Sequence, residues 1–334
     1  MPDRQSMAQN PGRTMTAAPA SGRIAVLKPE SPMLALKRPS RYLRSLLRLL
    51  LGATLFGVLL LGGFSYKLAS QLIEPVPRLI GPPPATLAAE QVRVEGIAGW
   101  FVPGQPGKAC VLLLHGQRSD RRAMLSRARL LRQYGYSSLL IDLQGHGESP
   151  GERLTFGHRE AAGAHAAVAL LRARPDCGKV AVIGQSLGGA AALLGERPLQ
   201  VDAMVLEAVY SDIELAARNR LQMRFGALGD WLLPLLTLQL QPRLGVSVEQ
   251  LKPIERIDEV RSPLLLMAGS DDRHTTLAES QRLFAAAKQP KRLWVVPGAA
   301  HVDLHRFAPG AYRAQLIGFL EEHLGVPAQT GAAR

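Results

Sequence analysis

The 334-residue sequence is poor in cysteine, with only Cys110 and Cys177. Two cysteines exclude a small protein stapled by several disulfides, and they exclude a zinc module built from cysteine ligands. The sequence also has no H-E-x-x-H motif, so its eight histidines form no credible zinc site. Without a P-loop or a G-x-G-x-x-G motif, nucleotide binding is disfavoured too. We therefore expect neither a metal nor a cofactor.

The formal net charge of +13 is unevenly distributed along the chain. Residues 1–48 hold nine of the 40 lysines and arginines but only two of the 27 acidic residues. The basic excess therefore belongs to the N-terminal segment, and we expect no nucleic-acid partner. Apolar residues make up 47% of the sequence and charged residues 20%, a balance that excludes a mostly disordered chain.

The N-terminal segment divides into three parts. Residues 1–40 are rich in Pro, Ser, Gly, Ala and Gln, which predicts a disordered basic tail. Residues 49–66 (LLLGATLFGVLLLGGFSY) carry no charge, and as a helix they would span roughly 27 Å, close to the hydrocarbon thickness of a bilayer. We predict one transmembrane helix over 41–67 that contacts the membrane through 49–66. Residues 68–87, with their prolines, form a predicted stiff spacer.

Two other interpretations of the apolar run are a buried core helix and a cleaved signal peptide. The long basic region before it, and Lys67 beside the candidate cleavage site, favour an uncleaved anchor. The positive-inside rule then predicts a single-pass protein with a cytoplasmic N-terminus and an extracytoplasmic remainder, periplasmic in a bacterium.

From about residue 88 the chain alternates apolar runs with helical patterns, which predicts an α/β fold with a mainly parallel sheet covered on both faces. The predicted domain covers 88–325, and 326–334 are expected to be flexible. Strands are predicted over 91–95, 98–102, 109–114, 137–141, 180–183, 203–207, 264–268 and 293–296, and helices over 121–134, 160–172, 187–196, 277–288 and 311–324. Residues 210–260 interrupt this rhythm and contain the apolar stretch 225–240. We interpret them either as a lid over the site or as extra helices packed on the body.

The sharpest motif is Gly184-Gln185-Ser186-Leu187-Gly188, which follows a predicted strand and opens a predicted helix. This is the G-x-S-x-G nucleophile elbow in the strand–turn–helix context that it requires. On so tight a turn the serine is held in a strained conformation with its hydroxyl clear of the sheet, and small neighbours let strand and helix approach. Ser186 is therefore the predicted nucleophile.

A serine nucleophile needs a base and an acid that orients it, and in this strand–elbow–helix arrangement they follow in the order acid, then histidine. Gly269-Ser270-Asp271-Asp272 follows one apolar strand, and the G-x-x-D spacing selects Asp272, with Asp271 as the alternative. His301 follows the next strand and is the predicted base. His305, four residues later, is a less favoured candidate.

The developing oxyanion needs main-chain N–H donors. We predict the N–H of Leu187 and that of Gln117, which follows His115-Gly116 and whose side chain is then free to face the pocket. His115 is expected to hold this loop by hydrogen bonds. Nearby, Arg118, Arg121 and Arg122 either recognise an anionic group or form a solvated helix face.

These motifs together resemble the α/β-hydrolase superfamily, in its branch of serine esterases, monoacylglycerol-lipase-like and serine-aminopeptidase-like enzymes. The likeness runs from about 88 to 325 and includes His115-Gly116, the glycine turn from Asp142 to Gly151, Gly269-x-x-Asp272 and Gly298-Ala299-Ala300-His301. It implies an eight-stranded sheet, a Ser186–Asp272–His301 triad and structural roles for Asp142 and His146. It also places Cys110 and Cys177 at the amino-terminal rim of adjacent strands, where a disulfide could form if the domain lies outside the cytoplasm. Thr275-Thr276 stand where many relatives have Val-Pro, which affects the stiffness of the loop more than its chemistry.

The function expected from the sequence is a membrane-anchored serine hydrolase that cleaves ester or thioester bonds of a small-molecule or lipid-like acyl substrate. One alternative is a serine aminopeptidase, in which Glu207 or Asp212 would hold the ammonium group of the substrate. Another is a noncatalytic, membrane-tethered binding module on a hydrolase scaffold.

Overall fold

The structure is a computed structural model that describes residues 40–325. The predicted basic tail, apart from Ser40, and the predicted flexible C-terminus therefore lie outside the described residues. The chain forms two compact units, one ending at Thr54 and the other beginning at Leu55. The second unit contains the sheet and every site described below.

The first helix, α1, runs from Arg41 to Ile73. Among residues 40–325 it is the one helix long and apolar enough to cross a membrane, with a mean hydropathy of 2.0 over an 18-residue window that is exposed throughout. The helix continues six residues past the boundary at 67 that the sequence predicts. Its last turns persist because Ser65, Ala69 and Ile73 are buried against the rest of the second unit.

The centre of the fold is an eight-stranded sheet with the strand order β10-β9-β8-β7-β4-β5-β3-β2. All neighbouring pairs are parallel except those of β3, which is antiparallel to β2 and to β5. This confirms the predicted fold class. A separate two-stranded pair, β1 with β6, was not predicted, since strands of two residues carry no periodic signal. The strands are β1 Val76–Pro77, β2 Glu90–Val94, β3 Ile97–Val102, β4 Cys110–Leu114, β5 Ser137–Ile141, β6 His146–Gly147, β7 Val180–Gln185, β8 Ala203–Glu207, β9 Leu264–Gly269 and β10 Lys291–Val296.

The central strands are apolar at every position because both faces of the sheet are covered. In β4, Leu112 and Leu114 belong to the hydrophobic core on one face, whereas Val111 and Leu113 belong to the core on the other. Successive side chains of a strand point to opposite faces, so an uninterrupted apolar run is what two covered faces require.

Helices cover the sheet and build the region over its carboxyl edge. The stretch 210–260 contains three helices and short 3₁₀ turns and no strand, as its pattern predicts. After α1 the α-helices are α2 Leu125–Gln133, α3 Glu160–Ala173, α4 Leu187–Leu193, α5 Ile213–Phe225, α6 Gly229–Thr237, α7 Leu240–Leu244, α8 Leu277–Ala286, α9 Leu304–Phe307 and α10 Pro309–Leu324. We call residues 213–244, which include α5, α6 and α7, the helical insert.

A disulfide joins Cys110 at the start of β4 to Cys177 in the loop before β7, with 5.4 Å between their Cα atoms. This pairing is the one that the resemblance made plausible. The two residues meet because β4 and β7 are parallel neighbours in the sheet.

Candidate active site

Ser186 occupies a sharp turn between β7 and α4. Its backbone has φ 49° and ψ −112°, a left-handed φ that is strained for any residue other than glycine. A Cβ atom at Gly188 would lie 2.3 Å from the carbonyl oxygen of Leu114, and one at Gly184 would lie 2.6 Å from Gly189. Both flanking glycines are therefore required for the close approach of α4 to the sheet. The Ser186 N–H donates to the Glu207 carbonyl at 2.8 Å, which fixes the turn.

His301 and Asp272 form a hydrogen-bonded pair at the same carboxyl edge of the sheet. Asp272 follows β9, His301 follows β10, and 2.7 Å separates His301 Nδ1 from Asp272 Oδ2. His301 and Ser186 line one cleft. Residues 40–325 contain no hydrogen bond between the Ser186 hydroxyl and the His301 ring, and such contacts are often long until substrate binds.

Asp272 is buried, and its environment favours the carboxylate. Oδ1 accepts from the main-chain N–H groups of His274 and Thr275, at 2.8 and 2.9 Å. Oδ2 accepts from His301 and from the Thr275 hydroxyl at 2.8 Å. Burial alone would raise the pKa of Asp272, but the hydrogen bonds from His301 and Thr275 outweigh it and lower that pKa. The Thr275 hydroxyl thus contacts the acid directly, a role that sequence reasoning missed.

The two alternative candidates lie elsewhere. Asp271 is exposed, and its carboxylate accepts from the Ser270 hydroxyl at 2.7 Å. His305 lies on α9 with its ring 4.8 Å from that of Tyr312, and it does not line either cavity that contains Ser186.

Two cavities meet at Ser186. One is narrow and apolar, with a volume of about 90 Å³, and its walls come from α1, α5 to α7, Phe156, Tyr210 and Leu187. The other is a wide cleft of about 570 Å³ that contains His301. Ser186, Gln117, Leu72 and Arg220 line both.

The wide cleft is electropositive beside the nucleophile. It is lined by Arg118, Arg220 and Arg306, with Asp303 as its one acidic lining residue in the described chain. Arg118 and Arg220 donate to main-chain carbonyls, and within residues 40–325 neither has a carboxylate at salt-bridge distance. Burial lowers the pKa of Arg220. The sequence did not single out Arg220, because nothing local distinguishes it from a surface arginine of α5.

The predicted oxyanion donors border the nucleophile. Leu187 and Gln117 both line the narrow cavity with Ser186, and in the described chain neither main-chain N–H has a hydrogen-bond acceptor. The sequence analysis expected the Gln117 side chain to be free. Instead, it donates to the Leu72 carbonyl of α1 at 3.3 Å. His115 holds the loop, since its Nε2 accepts from the Leu143 N–H at 3.1 Å.

The other two arginines of this loop differ: Arg122 is exposed, as a solvated face predicts, whereas Arg121 fits neither sequence interpretation. Arg121 is buried and pairs with Asp142 and with Glu148, so it is not part of a solvated face. Arg122 pairs with Asp120 at 2.9 Å. Both guanidinium groups therefore stabilise the loop, and neither lines the cleft.

The carboxylates that an aminopeptidase would need are already occupied. Glu207 is fully buried, pairs with Arg127 at 2.5 Å and accepts from the Tyr312 hydroxyl at 2.5 Å. Asp212 caps the N-terminus of α5. Neither residue lines a cavity that contains Ser186, so neither is placed to hold a substrate ammonium beside the nucleophile. Among residues 40–325 no group of three His, Cys, Asp or Glu is arranged to hold a metal ion.

Comparisons with known proteins agree with the fold. The model of the alpha/beta hydrolase family matches residues 111–315. An uncharacterized protein of Mycobacterium tuberculosis is 34% identical over 213 residues, which cover 62% of this chain and 68% of that protein. A Pyrococcus furiosus esterase superposes with a TM-score of 0.63 at 23% identity, covering 76% of this chain and 99% of the esterase, a likeness that shows the fold.

Proposed function

Because the chain belongs to the alpha/beta hydrolase family, we propose that it is a serine hydrolase that cleaves carboxylic ester or thioester bonds. The observation that carries this proposal is the His301–Asp272 pair, which shares a cleft with a serine on a strained elbow. A charged acid, an oriented imidazole and a hydroxyl open to the cleft are the three groups that acyl transfer needs.

In the proposed reaction the Ser186 oxygen attacks the acyl carbon while His301 Nε2 accepts the hydroxyl proton. The negative oxygen of the tetrahedral intermediate accepts hydrogen bonds from the N–H groups of Leu187 and Gln117. The bond to the leaving group then breaks, and His301 returns the proton to that group. Water, deprotonated by His301, releases the acyl group from Ser186 by the same steps.

We also propose that α1 anchors the enzyme in a membrane, with the hydrolase domain on the extracytoplasmic side. The exposed apolar window of α1 and the basic residues that precede it support this topology. The disulfide supports an oxidising compartment. The helical insert adds an apolar surface, since Leu228, Trp231 and Leu238 are exposed. The ring of Phe225 meets that of Phe64 in α1 edge to face, with 5.9 Å between the centroids. This surface favours lipid-like acyl substrates.

The decisive test is labelling of the full chain with a fluorophosphonate probe. We expect rapid covalent labelling that is lost on heating and in Ser186→Ala, together with a fall in ester turnover of about a million-fold in that variant. Labelling or turnover that survives Ser186→Ala would overturn the assignment. A chain that binds acyl ligands without any labelling would instead be a noncatalytic binding module.

A further inference from the structure

The narrow apolar cavity has walls from two sources. Ala69, Leu72 and Ile73 of α1 form one wall, and the helical insert supplies the facing wall, for example Ala217 and Leu240. Building on the proposed function, we propose that this cavity binds the linear acyl chain of the substrate and that α1 contributes directly to binding that chain.

The position of His301 decides which part of the substrate enters which cavity. The imidazole must return a proton to the leaving group, so the leaving group has to lie beside it. His301 lines the wide cleft and does not line the narrow cavity, whereas Ser186 lines both. The leaving group therefore occupies the wide cleft, and the acyl chain extends from Ser186 in the other direction, into the narrow cavity.

Two of the polar side chains that border the narrow cavity are engaged with α1. Gln239 donates to the Ser65 hydroxyl at 2.9 Å, and Arg243 donates to the Ser70 hydroxyl at 2.7 Å. Tyr210, Thr237 and Arg220 also border the cavity, and each donates to a main-chain carbonyl. The rest of the lining is mainly hydrocarbon, which suits an alkyl chain.

The same hydrogen bonds hold α1 in register with the insert. The Ser65 hydroxyl, 2% exposed, also donates to the Leu235 carbonyl at 3.2 Å, and Arg243 donates to the Tyr66 carbonyl at 3.2 Å. A helix that served only as a tether would need no such side-chain contacts with the domain. Here they fix the height at which Ala69 and Leu72 face the cavity.

The test measures chain-length selectivity of the full protein in detergent micelles, as the ratio of kcat/KM for long and short linear p-nitrophenyl esters. Ala69→Phe narrows the cavity, and because each buried methylene strengthens binding roughly fourfold, we expect the long-to-short ratio to fall by at least about tenfold. Leu72→Ala widens it and should raise the ratio of branched to linear acyl chains several-fold. Gln71→Phe, on the exposed side of the same turn, is the matched control and should keep the wild-type profile.

Unchanged profiles in both Ala69→Phe and Leu72→Ala would overturn the proposal, as would a change in Gln71→Phe equal to theirs. If Ala69→Phe fails to fold, Leu72→Ala carries the test, because a gain on branched chains cannot come from unfolding. Fluorophosphonate labelling of the wild type separates the two proposals. Without labelling at Ser186 the proposed function fails, whereas labelling with unchanged profiles defeats only the acyl-chain cavity. The same acyl chain is then offered in two forms, as a lysolipid in vesicles and as a soluble thioester. Hydrolysis of the lysolipid indicates a substrate taken from the bilayer, and hydrolysis of the thioester indicates one taken from water. For the form that is hydrolysed, the chain-length ratios of the variants should shift as they do with the p-nitrophenyl esters.

Discussion

The substitution Asp272→Asn should disable the enzyme by reversing the tautomer of His301. Two main-chain N–H groups, those of His274 and Thr275, point at Oδ1 of Asp272, so an asparagine must place its carbonyl oxygen there. Its NH₂ group then takes the position of Oδ2, 2.7 Å from His301 Nδ1. An NH₂ group donates, so His301 has to accept at Nδ1 and carry its proton on Nε2. An imidazole protonated at Nε2 cannot take the proton of Ser186.

In the Ser-His-Asp mechanism this change of tautomer lowers kcat about 10⁴-fold, which corresponds to roughly 5 kcal/mol of transition-state stabilisation. We expect a loss of that size, measured as kcat on a short ester and as the rate of fluorophosphonate labelling. The asparagine side chain is neutral, but it has nearly the same shape as the carboxylate and retains the two hydrogen bonds at Oδ1. Thermal unfolding should therefore show a folded protein, so that the loss is assigned to chemistry.

Asp271→Asn is the matched control, one residue away and exposed. We expect its kcat to stay within about twofold of the wild type, as is usual for surface substitutions that break no buried network. If Asp272→Asn kept a tenth or more of the activity while Asp271→Asn lost it, the assignment of the orienting acid would be wrong.

Three further predictions concern stability and the membrane. The double change Cys110→Ala/Cys177→Ala should lower the free energy of unfolding by about 4 kcal/mol in the chain-entropy model, because the disulfide joins residues 67 positions apart. In denaturant unfolding with and without reductant, only the wild type should respond to the reductant. Burial lowers the pKa of His115 and of His146 to about 4. Between pH 6.5 and pH 4 the unfolded chain therefore binds more protons than the folded one, and the free energy of unfolding should fall as the pH falls, by up to about 1.4 kcal/mol per pH unit for each ring. Equal urea midpoints at pH 7 and pH 5 would contradict this. Trp231 is 79% exposed, and we expect it to contact the bilayer if the insert does. Brominated lipids should then quench the tryptophan emission component that Trp231→Phe removes. Quenching of that component by aqueous iodide alone would argue against contact with the bilayer.

The features that could be predicted from the sequence are those with a local signature. The apolar runs of β4, β7 and β9 identify buried strands because both faces of the sheet are covered, and the glycines around Ser186 mark a turn that other residues would obstruct. Asp272 and His301 follow from their positions after two strands, since parallel strands bring their carboxyl ends to one edge. Their roles in catalysis stay predictions until the variants are measured.

The features that could not be predicted depend on contacts between distant segments. Glu207 resembles a free carboxylate at the end of a strand until Arg127, 80 residues earlier, is seen to pair with it. Arg121 resembles a solvated helix residue until its buried partner Asp142 is located. Thr275 stands where relatives often carry valine, and only the structure reveals that its hydroxyl bonds the acid. Electrostatic partners carry no periodicity, so sequence patterns do not report them.

The same limit explains why the predicted anchor and the hydrolase domain looked separable in the sequence. A charge-free run predicts a membrane-spanning helix, but it does not show which residues at the end of that helix face a cavity. In the structure the loop that carries the predicted oxyanion donor is tied to α1, because the Gln117 side chain donates to Leu72. From the same helix, Ala69 shares a hydrophobic cluster with Leu232 and Leu236 of the insert. Cleavage between 69 and 73 would therefore remove part of the cavity wall along with the predicted tether, which is a physical reason for the end of α1 to stay joined to the hydrolase domain.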